Sequence, residues 1–403
     1  KIHLYSFTDK NVFKKVDAIK NKESCILLLD AVDECTMAQN DTQYAAFVRK
    51  LEKTYQDFAF VVTTCRPQFF GEGKEEFGNA NIRVGGFFAQ CKKLYLDYFN
   101  EQQVTEYLKN AYGGNSRSQK FKKAKAIIKR CPDAMRPLVL SYIDILAEDD
   151  REYCTSRDIY DAIVNRLVLR DLWKNTSDDE QCKAQWLELT SLVAKKMYQK
   201  DLVHPALTKN EVDRIVKLYN RKNKKTKGHP RVKKIKAKVF RERSMLTRFG
   251  EEYRFSHKSF FEYLMAYRFF CYPWEIDSLQ GMDFAVQIFN ELVAAWQQDK
   301  EGFAIAGQRF SEAHVADSLH EMGCYLQRLN NFKEAEQDYK AALEIRRRLS
   351  ATDPAVYEPE VARTLNNLGI LHSDMNDYPQ AAKEYAEAFE IRSRLAAADP
   401  AAY

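Results

Sequence analysis

There is no Cys-x-x-Cys pair anywhere in the chain, and no histidine cluster lies near its nine cysteines. An odd count without metal-type spacing argues against a zinc site and a disulfide frame, and points to a reducing cytoplasm. No apolar run approaches the ~20 residues of a membrane-spanning helix, and no leader-like start is present. The expectation is a soluble, cytoplasmic protein with no membrane role. A large net charge is missing too: 63 basic residues against 57 acidic leave +6, so bulk electrostatics make no case for nucleic acid. A phosphate loop of the form G-x-x-x-x-G-K-S/T cannot be found. Gly73 and Lys74 are adjacent, but Gln68 stands five positions before Gly73 and Glu75 follows Lys74. Without that cradle of backbone N–H groups and its lysine, nucleotide phosphates have no obvious holder. Lys1 replaces an initiator Met and the last residues break off within a repeat, so the sequence reads as a fragment of a longer protein.

With 403 residues and 45% hydrophobic content, the chain is long enough for two to four globular pieces. Cys25–Leu29 of "CILLLDAVDECT" is a short unbroken apolar run, which suits a parallel strand covered by helices on both faces. Tyr44, Phe47, Val48, Leu51 and Tyr55 then recur at helical spacing, and "FAFVV" (Phe58–Val62) is a second apolar strand. Strand, helix, strand implies a right-handed parallel crossover. Ligands of such sheets sit beyond the carboxyl ends of the strands. Asp30 ends the first strand, and Thr63, Thr64 and Arg66 end the second. Asp30, with Asp33 and Glu34 just after it, offers the hard oxygen ligands that Mg²⁺ prefers and an acid to orient water. Arg66 suits a phosphate's developing charge. The plain alternative is an apolar strand that happens to end in acids.

"CILLLDAVDEC" resembles the Walker B segment of NACHT-type ATPases of the STAND class of signalling switches, and "FVVTTCRP" resembles their sensor 1 strand. The family usually has Gly where Ala31 stands. By that resemblance Asp30 holds Mg²⁺ through water, Asp33 and Glu34 polarise the hydrolytic water, and Arg66 senses the γ-phosphate of ATP. The phosphate loop would precede Lys1.

Further along, "YFNEQQVTEYLKNAYGG" places Asn100 as an N-cap, Val104, Tyr107, Leu108 and Ala111 on one face, and Gly113 as a stop. A packing helix explains every residue of it. The resemblance adds a small helical domain after sensor 1, in which Pro137 of "CPDAMRPLVLSYI" is similar to the proline that lies against adenine. Thr208 and Glu211 have capping-box spacing, and "SMLTRF" and "YRFSH" flank Gly250–Glu252 as two strands around a turn. Helices followed by a hairpin suit a winged-helix domain. "FSHKSFFEYLMA" (Phe255–Ala266) is similar to the family's winged-helix signature F-x-H-x-S-F-x-E-Y/F-L-x-A, which implies that His257 touches the β-phosphate of ADP and holds the switch closed. An imidazole N–H can donate to phosphate, although a histidine at a helix start is as readily structural.

Between Arg221 and Arg243 the chain carries twelve basic residues and one acid. Such a run could neutralise phosphates. It lacks interleaved stacking aromatics, having only Phe240, so a solvated loop is the favoured reading and nucleic acid is left as a possible partner.

Val315–Leu349 aligns without gaps on Val361–Leu395 at a constant offset of 46 residues. Val315/Val361, Leu319/Leu365, Gly323/Gly369, Phe332/Tyr378, Ala335/Ala381, Tyr339/Tyr385 and Ile345/Ile391 all pair. Self-similarity at a fixed period means a stacked array. Each unit reads as two helices joined by a polar turn, "LNN" or "MND", with a small Gly where the facing helix comes close. This resembles an extended tetratricopeptide repeat, and "AADPAAY" echoing "ATDPAVY" predicts further repeats. Such arrays present concave surfaces to proteins or peptides; Asn366, Asn367 and His320 lie on first helices, with the side they face left open.

Together the expected fold class is a partial α/β P-loop NTPase core with a parallel sheet, then helical and winged-helix domains and an α-solenoid. The boundaries are 1–95 for the nucleotide-binding part, 96–150 helical, 151–275 winged helix, 276–305 linker and 306–403 repeats. The resemblance implies a switch that binds ATP/ADP and Mg²⁺, senses a protein trigger on the array and oligomerises to activate an effector in innate-immune or antiphage defence. A STAND-type transcriptional regulator and a non-catalytic repeat scaffold are the alternatives. The fragment alone is expected to hydrolyse ATP weakly or not at all.

Overall fold

A computed structural model describes residues 1–64 apart from 8, 10, 31, 33, 34, 36 and 38–40, then 99–399 apart from 115–117, 149, 150, 170–178, 202–204, 224–233, 250, 277, 278 and 306. The chain divides into two compact units, residues 1–97 with 248–251, and residues 98–247 with 252–403.

The first unit contains β1 (Ile2–Ser6), α1 (Val12–Asp17), β2 (Ile26–Asp30), α2 (Asp41–Tyr55) and β3 (Phe60–Thr63). The strands form a sheet in the order β1-β2-β3. Both pairings are parallel, with Ile26 opposite Ile2 on one side and Phe60 on the other. The apolar stripe of α2 packs as its spacing predicts: Phe47, Val48, Leu51 and Tyr55 are buried with Leu27 and Leu29 of β2. Tyr44 lies outside the described side chains. Phe7 and Phe47 meet edge to face at 5.6 Å, a favoured aromatic geometry. One expectation changes. The apolar run of β2 predicts cover on both faces, yet Ile2, Leu4, Phe60 and Val62 of the opposite face are exposed. The reason is that the described helices α1 and α2 contribute their apolar side chains on one side only.

The second unit is mostly helical. Asn100 caps α3 (Glu101–Ala111) through a full capping box with Gln103, and Gly113 and Gly114 end it in the left-handed region, φ 60° and 75°. Then come α4 (Gln119–Arg130), α5 (Pro137–Leu140), α6 (Ile143–Glu148), α7 (Ser156–Leu169) and α8 (Asp179–Lys200). Glu211 accepts from Thr208 N at 2.7 Å while Thr208 Oγ1 accepts from Glu211 N at 3.4 Å, so the capping box at the start of α9 (Lys209–Asn223) forms as its spacing predicts. After α10 (Ala237–Arg243), β5 (Leu246–Phe249) and β6 (Glu252–Phe255) make the expected hairpin. A two-residue strand, β4 (Leu207–Thr208), adds to β6, with Leu207 opposite Tyr253. The basic run falls partly outside the described residues, but Asn220, just before it, is tied to Ile235 within it. Asn220 Nδ2 donates to Ile235 O at 2.8 Å and its Oδ1 accepts from Ile235 N at 3.0 Å.

Helix α11 (Lys258–Cys271) is buried from Ser259 to Cys271. Its surface is mostly apolar, as a central helix requires, and its two buried charges are paired, Glu262 with Lys258 and Arg268 with Glu275; Phe269 and Phe270 meet Phe289 of α12 (Asp283–Gln298), and Phe270 also meets Phe310 at 5.2 Å. A small hairpin, β7 (Ala304–Ile305) and β8 (Gln308–Arg309), leads into the repeats.

The repeats are two helical hairpins, α13 (Glu312–Arg328) with α14 (Phe332–Ser350), and α15 (Pro354–Asp374) with α16 (Tyr378–Ala398). Each polar turn contains one asparagine at positive φ, Asn330 at 59° and Asn376 at 62°. Asparagine is among the few side chains that accept this conformation without large strain. Their offset is again 46 residues. A Cβ on Gly323 would come within 2.7 Å of the Tyr339 ring, and one on Gly369 within 2.7 Å of Tyr385. The paired glycines therefore let the helices of each hairpin approach, as their place in the alignment predicts. Pro354, in the first turn of α15, has Asp353 as its cap, whose side chain accepts from Val356 N.

Candidate functional site

Three places hold the residues singled out by the sequence. The first is the carboxyl edge of the parallel sheet. Asp30 ends β2, its carbonyl accepts from Phe7 N at 2.9 Å, and its Oδ1 accepts from Thr64 Oγ1 at 2.5 Å. Thr64 follows β3 and is itself held by Leu29 O, 2.9 Å from its amide. Parallel pairing thus brings two strand ends into one polar contact that their sequence separation hides. A cavity of about 610 Å³ opens beside it, lined by Leu4, Tyr5, Ser6, Leu28, Leu29, Asp30, Val62 and Thr64. Among the described residues, one oxygen of the exposed carboxylate is engaged by a side chain, which fits a hard cation held through its retained waters. No group of three or more potential metal ligands occurs among the described residues. Asp33, Glu34 and Arg66 lie outside the described residues.

The second place is the start of α11. His257 is its N-cap and is exposed. Its Nδ1 accepts from Ser259 N at 3.1 Å and lies 2.7 Å from Ser259 Oγ. An Nδ1 that accepts leaves the proton on Nε2, so the neutral ring keeps one N–H donor. Pro137 is also exposed and opens α5 at its first position, where a missing N–H costs nothing. Near them the buried Tyr160 hydroxyl lies by Arg136 and Ser259 without a hydrogen bond of normal geometry. Behind them lies a polar cluster: Arg136 pairs with Asp133 at 2.9 Å, and Asp133 accepts from Ser156 Oγ and, at 3.1 Å, from Gln287 Nε2. These bonds hold the Asp133 carboxyl below its usual range against the opposing effect of burial. Asp161, bonded by the Tyr263 hydroxyl, is pushed up to about 6 by burial, against the nearby Arg157.

The third place is the repeat array. A cavity of about 570 Å³ opens between the exposed ring of Trp274, which precedes the repeats, and Glu321, Gln327, Arg328, Asn367 and Asp374 on the first helices α13 and α15. Tyr339 OH donates to Gln327 Oε1 at 3.0 Å and Gln327 Nε2 donates to Asp374 Oδ2 at 2.8 Å, tying the two repeats along the cavity wall. Asn367 lines this cavity. His320 does not: it is 1% exposed, between Arg346, Thr364 and Asn367. Burial and the Arg346 and Arg363 charges lower its pKa to about 2, so the ring stays neutral and can accept from the Arg346 guanidinium, 3.1 Å away.

Arg346 is the residue sequence reasoning missed. Fully buried, it bonds Asp317 at 2.6 Å, Glu360 at 3.1 Å and Thr364 Oγ1 at 2.6 Å, joining α13, α14 and α15. A buried arginine is tolerated only with such partners. The signal was present: arginine stands at both Arg346 and Arg392, one position after the matched Ile345 and Ile391. Trp274 left no comparable trace, since an isolated aromatic has no pattern to betray it.

Cys25, Cys35, Cys131, Cys154, Cys271 and Cys324 are free, and no described helix is long and apolar enough to cross a membrane. No curated protein matches the chain. A family model of the tetratricopeptide repeat matches residues 315–354 and 361–400, the two hairpins α13–α14 and α15–α16, so the chain ends in a helical array of the kind that mediates protein–protein interaction.

Proposed function

We propose that the protein captures a protein or peptide trigger in the groove of its repeat array. The carrying observation is the cavity between Trp274 and the first helices, where an apolar ring faces amide and charged groups, the mixture that binding pockets use for affinity and orientation. Panning a random peptide display against residues 1–403 tests this. Enriched peptides should lose at least tenfold in affinity on Trp274→Ala or Asn367→Ala; enrichment that ignores both substitutions would sink the groove as the site.

A second reading builds on the first: the captured trigger releases a nucleotide-dependent switch of STAND type, in the cytoplasm, which then oligomerises and activates an effector in immune or antiphage defence. It is supported by Asp30 at the carboxyl end of the central parallel strand, bonded to the next strand's Thr64, by the hairpin β5–β6 before α11, which suits a winged helix, and by the His257 ring with its Nε2 donor. Asp30 would hold Mg²⁺, which supplies charge neutralisation at the phosphates when bound; His257 would donate to a phosphate oxygen, and Pro137 would lie against the base. Asp33, Glu34 and Arg66 keep the roles the resemblance implies, water activation and γ-phosphate sensing. Fluorescent ADP with Mg²⁺, titrated into the chain, should bind more weakly after Asp30→Asn and after His257→Ala. Binding indifferent to both variants would refute this reading, and rapid ATP turnover by residues 1–403 would overturn the expectation that these residues alone hydrolyse ATP weakly or not at all.

A further inference from the structure

Between Glu106 and Asp133 the chain carries eight basic residues and no acid, a second run besides Arg221–Arg243, and six of them lie on the folded helix α4. Ser118 caps that helix, its side chain accepting from Phe121 N at 3.1 Å. One side of α4 is apolar and buried, through Phe121, Ala124 and Ile127. The other side presents Lys122, Lys125 and Lys129, all exposed and three and four residues apart, hence on one stripe. At its flanks Lys120 meets Glu148 at 3.3 Å and Arg130 meets Glu152 at 2.7 Å. The three lysines of the stripe have no ion pair or side-chain hydrogen bond among the described residues. Helix stability does not account for the arrangement. Like charges at these spacings repel, and the first turn, which favours acids at the positive end of the helix dipole, has none. Of the three, only Lys129, in the last turn, stands where the dipole favours a cation.

We propose that this lysine stripe binds the phosphate backbone of double-stranded nucleic acid, irrespective of its sequence. Charge complementarity carries the choice: three unpartnered cations on a rigid element match a regular polyanion, to which each lysine contributes a point charge. The surroundings disfavour other occupants. Among the described residues no large hydrophobic side chain is exposed on α3 or α4, so the patch has no apolar anchor for a protein, whose interfaces are in any case poor in lysine. It has no exposed ring on which the bases of a single strand could stack. Nor can α4 lie in a lipid surface, because its apolar side belongs to the core of its own unit. No unpaired arginine stands in the stripe to read base edges by a bidentate contact, which is why the binding is to the backbone alone. The stripe shares no residue with the repeat groove, and its binding does not depend on a trigger there.

Fluorescence anisotropy of two short labelled DNA duplexes of unrelated sequence, titrated with residues 1–403 over a range of salt concentrations, tests the surface. Both duplexes should bind alike, with log affinity falling linearly with log salt. Lys122→Gln, Lys125→Gln and Lys129→Gln should each weaken both duplexes equally and make the salt slope shallower by about one, and the effects should add in the triple variant. Changing all three to arginine should keep the affinity and the slope, which separates lost charge from lost structure. Absence of salt-dependent binding, or a slope that the triple glutamine variant leaves unchanged, overturns the proposal. So does binding lost only on neutralising Lys222, Lys234, Lys236 and Lys238, since the other basic run would then be the site. Vesicles rich in phosphatidylserine, or polyglutamate, held through the same three lysines by a chain that ignores both duplexes, would overturn it too, in favour of a lipid surface or an acidic protein.

Discussion

Replacing Gly323 by alanine should destabilise the array, while the same change at Gly369 should not, although the two positions are equivalent in sequence. At both sites a new Cβ would fall 2.7 Å from a tyrosine ring, closer than packed carbons tolerate. The difference lies in whether the ring can leave. Tyr339 is 1% exposed, its ring meets His320 at 5.4 Å and its hydroxyl donates to Gln327, so any retreat breaks other contacts. Tyr385 is 37% exposed and can swing toward solvent. Overpacking a rigid site costs about 1–3 kcal/mol, and alanine returns about 1 kcal/mol of helix propensity over glycine. With the clash against the ring's inner atoms, Gly323→Ala should lose up to about 2 kcal/mol, whereas Gly369→Ala should be neutral or gain up to about 1 kcal/mol. Urea denaturation followed by far-UV circular dichroism reads both, and hydrogen exchange in α13 and α14 localises the effect. Trimming the ring with Tyr339→Leu should remove most of the penalty of Gly323→Ala in a double-mutant cycle. Equal losses at the two glycines, or no coupling to Tyr339, would refute the close-packing account.

Three further outcomes follow from the polar groups. His320 has a folded pKa near 2 against about 6.5 unfolded, so the neutral ring is favoured in the fold and stability falls as pH drops below 6.5, by about 2 kcal/mol at pH 5; His320→Asn, the residue found at the equivalent Asn366, should flatten acid unfolding between pH 6.5 and 4. His372 behaves oppositely: burial pulls its pKa down, but Glu384 at 2.7 Å and Glu336 at 3.3 Å raise it above 6.5. Its contribution is complete below pH 6.5 and fades as pH rises through the raised value, so His372→Gln should cost most at pH 6 and least at pH 9 in thermal melts. Asn220→Ala removes both bonds to Ile235 from a buried site and should cost about 1–3 kcal/mol; a stability unchanged in urea would show that the basic segment is not tied there.

Local patterns were legible because they repeat or obey short-range geometry. The Asn100 and Thr208 caps, the β5–β6 hairpin and the matched repeats could be read from spacing alone, and each forms. The site was harder to read. Asp30 and Thr64 were both recognisable as strand ends on one carboxyl edge, but only the tertiary structure showed that the Thr64 hydroxyl bonds the Asp30 carboxylate. His320, placed on a first helix by the repeat, turned out to be buried because its side chain is one of the four that close around Arg346.

By itself the sequence determined the Asn100 and Thr208 caps, the apolar stripe over Phe47–Tyr55, the β5–β6 turn and the 46-residue period of the array, since these depend on neighbours within one or two turns or on the chain repeating itself. Tertiary structure alone decided that Thr64 meets Asp30, that Arg346 is buried among three helices and that Trp274 walls the groove. Those outcomes depend on which distant surfaces meet, and burial is a property of the meeting rather than of the residue.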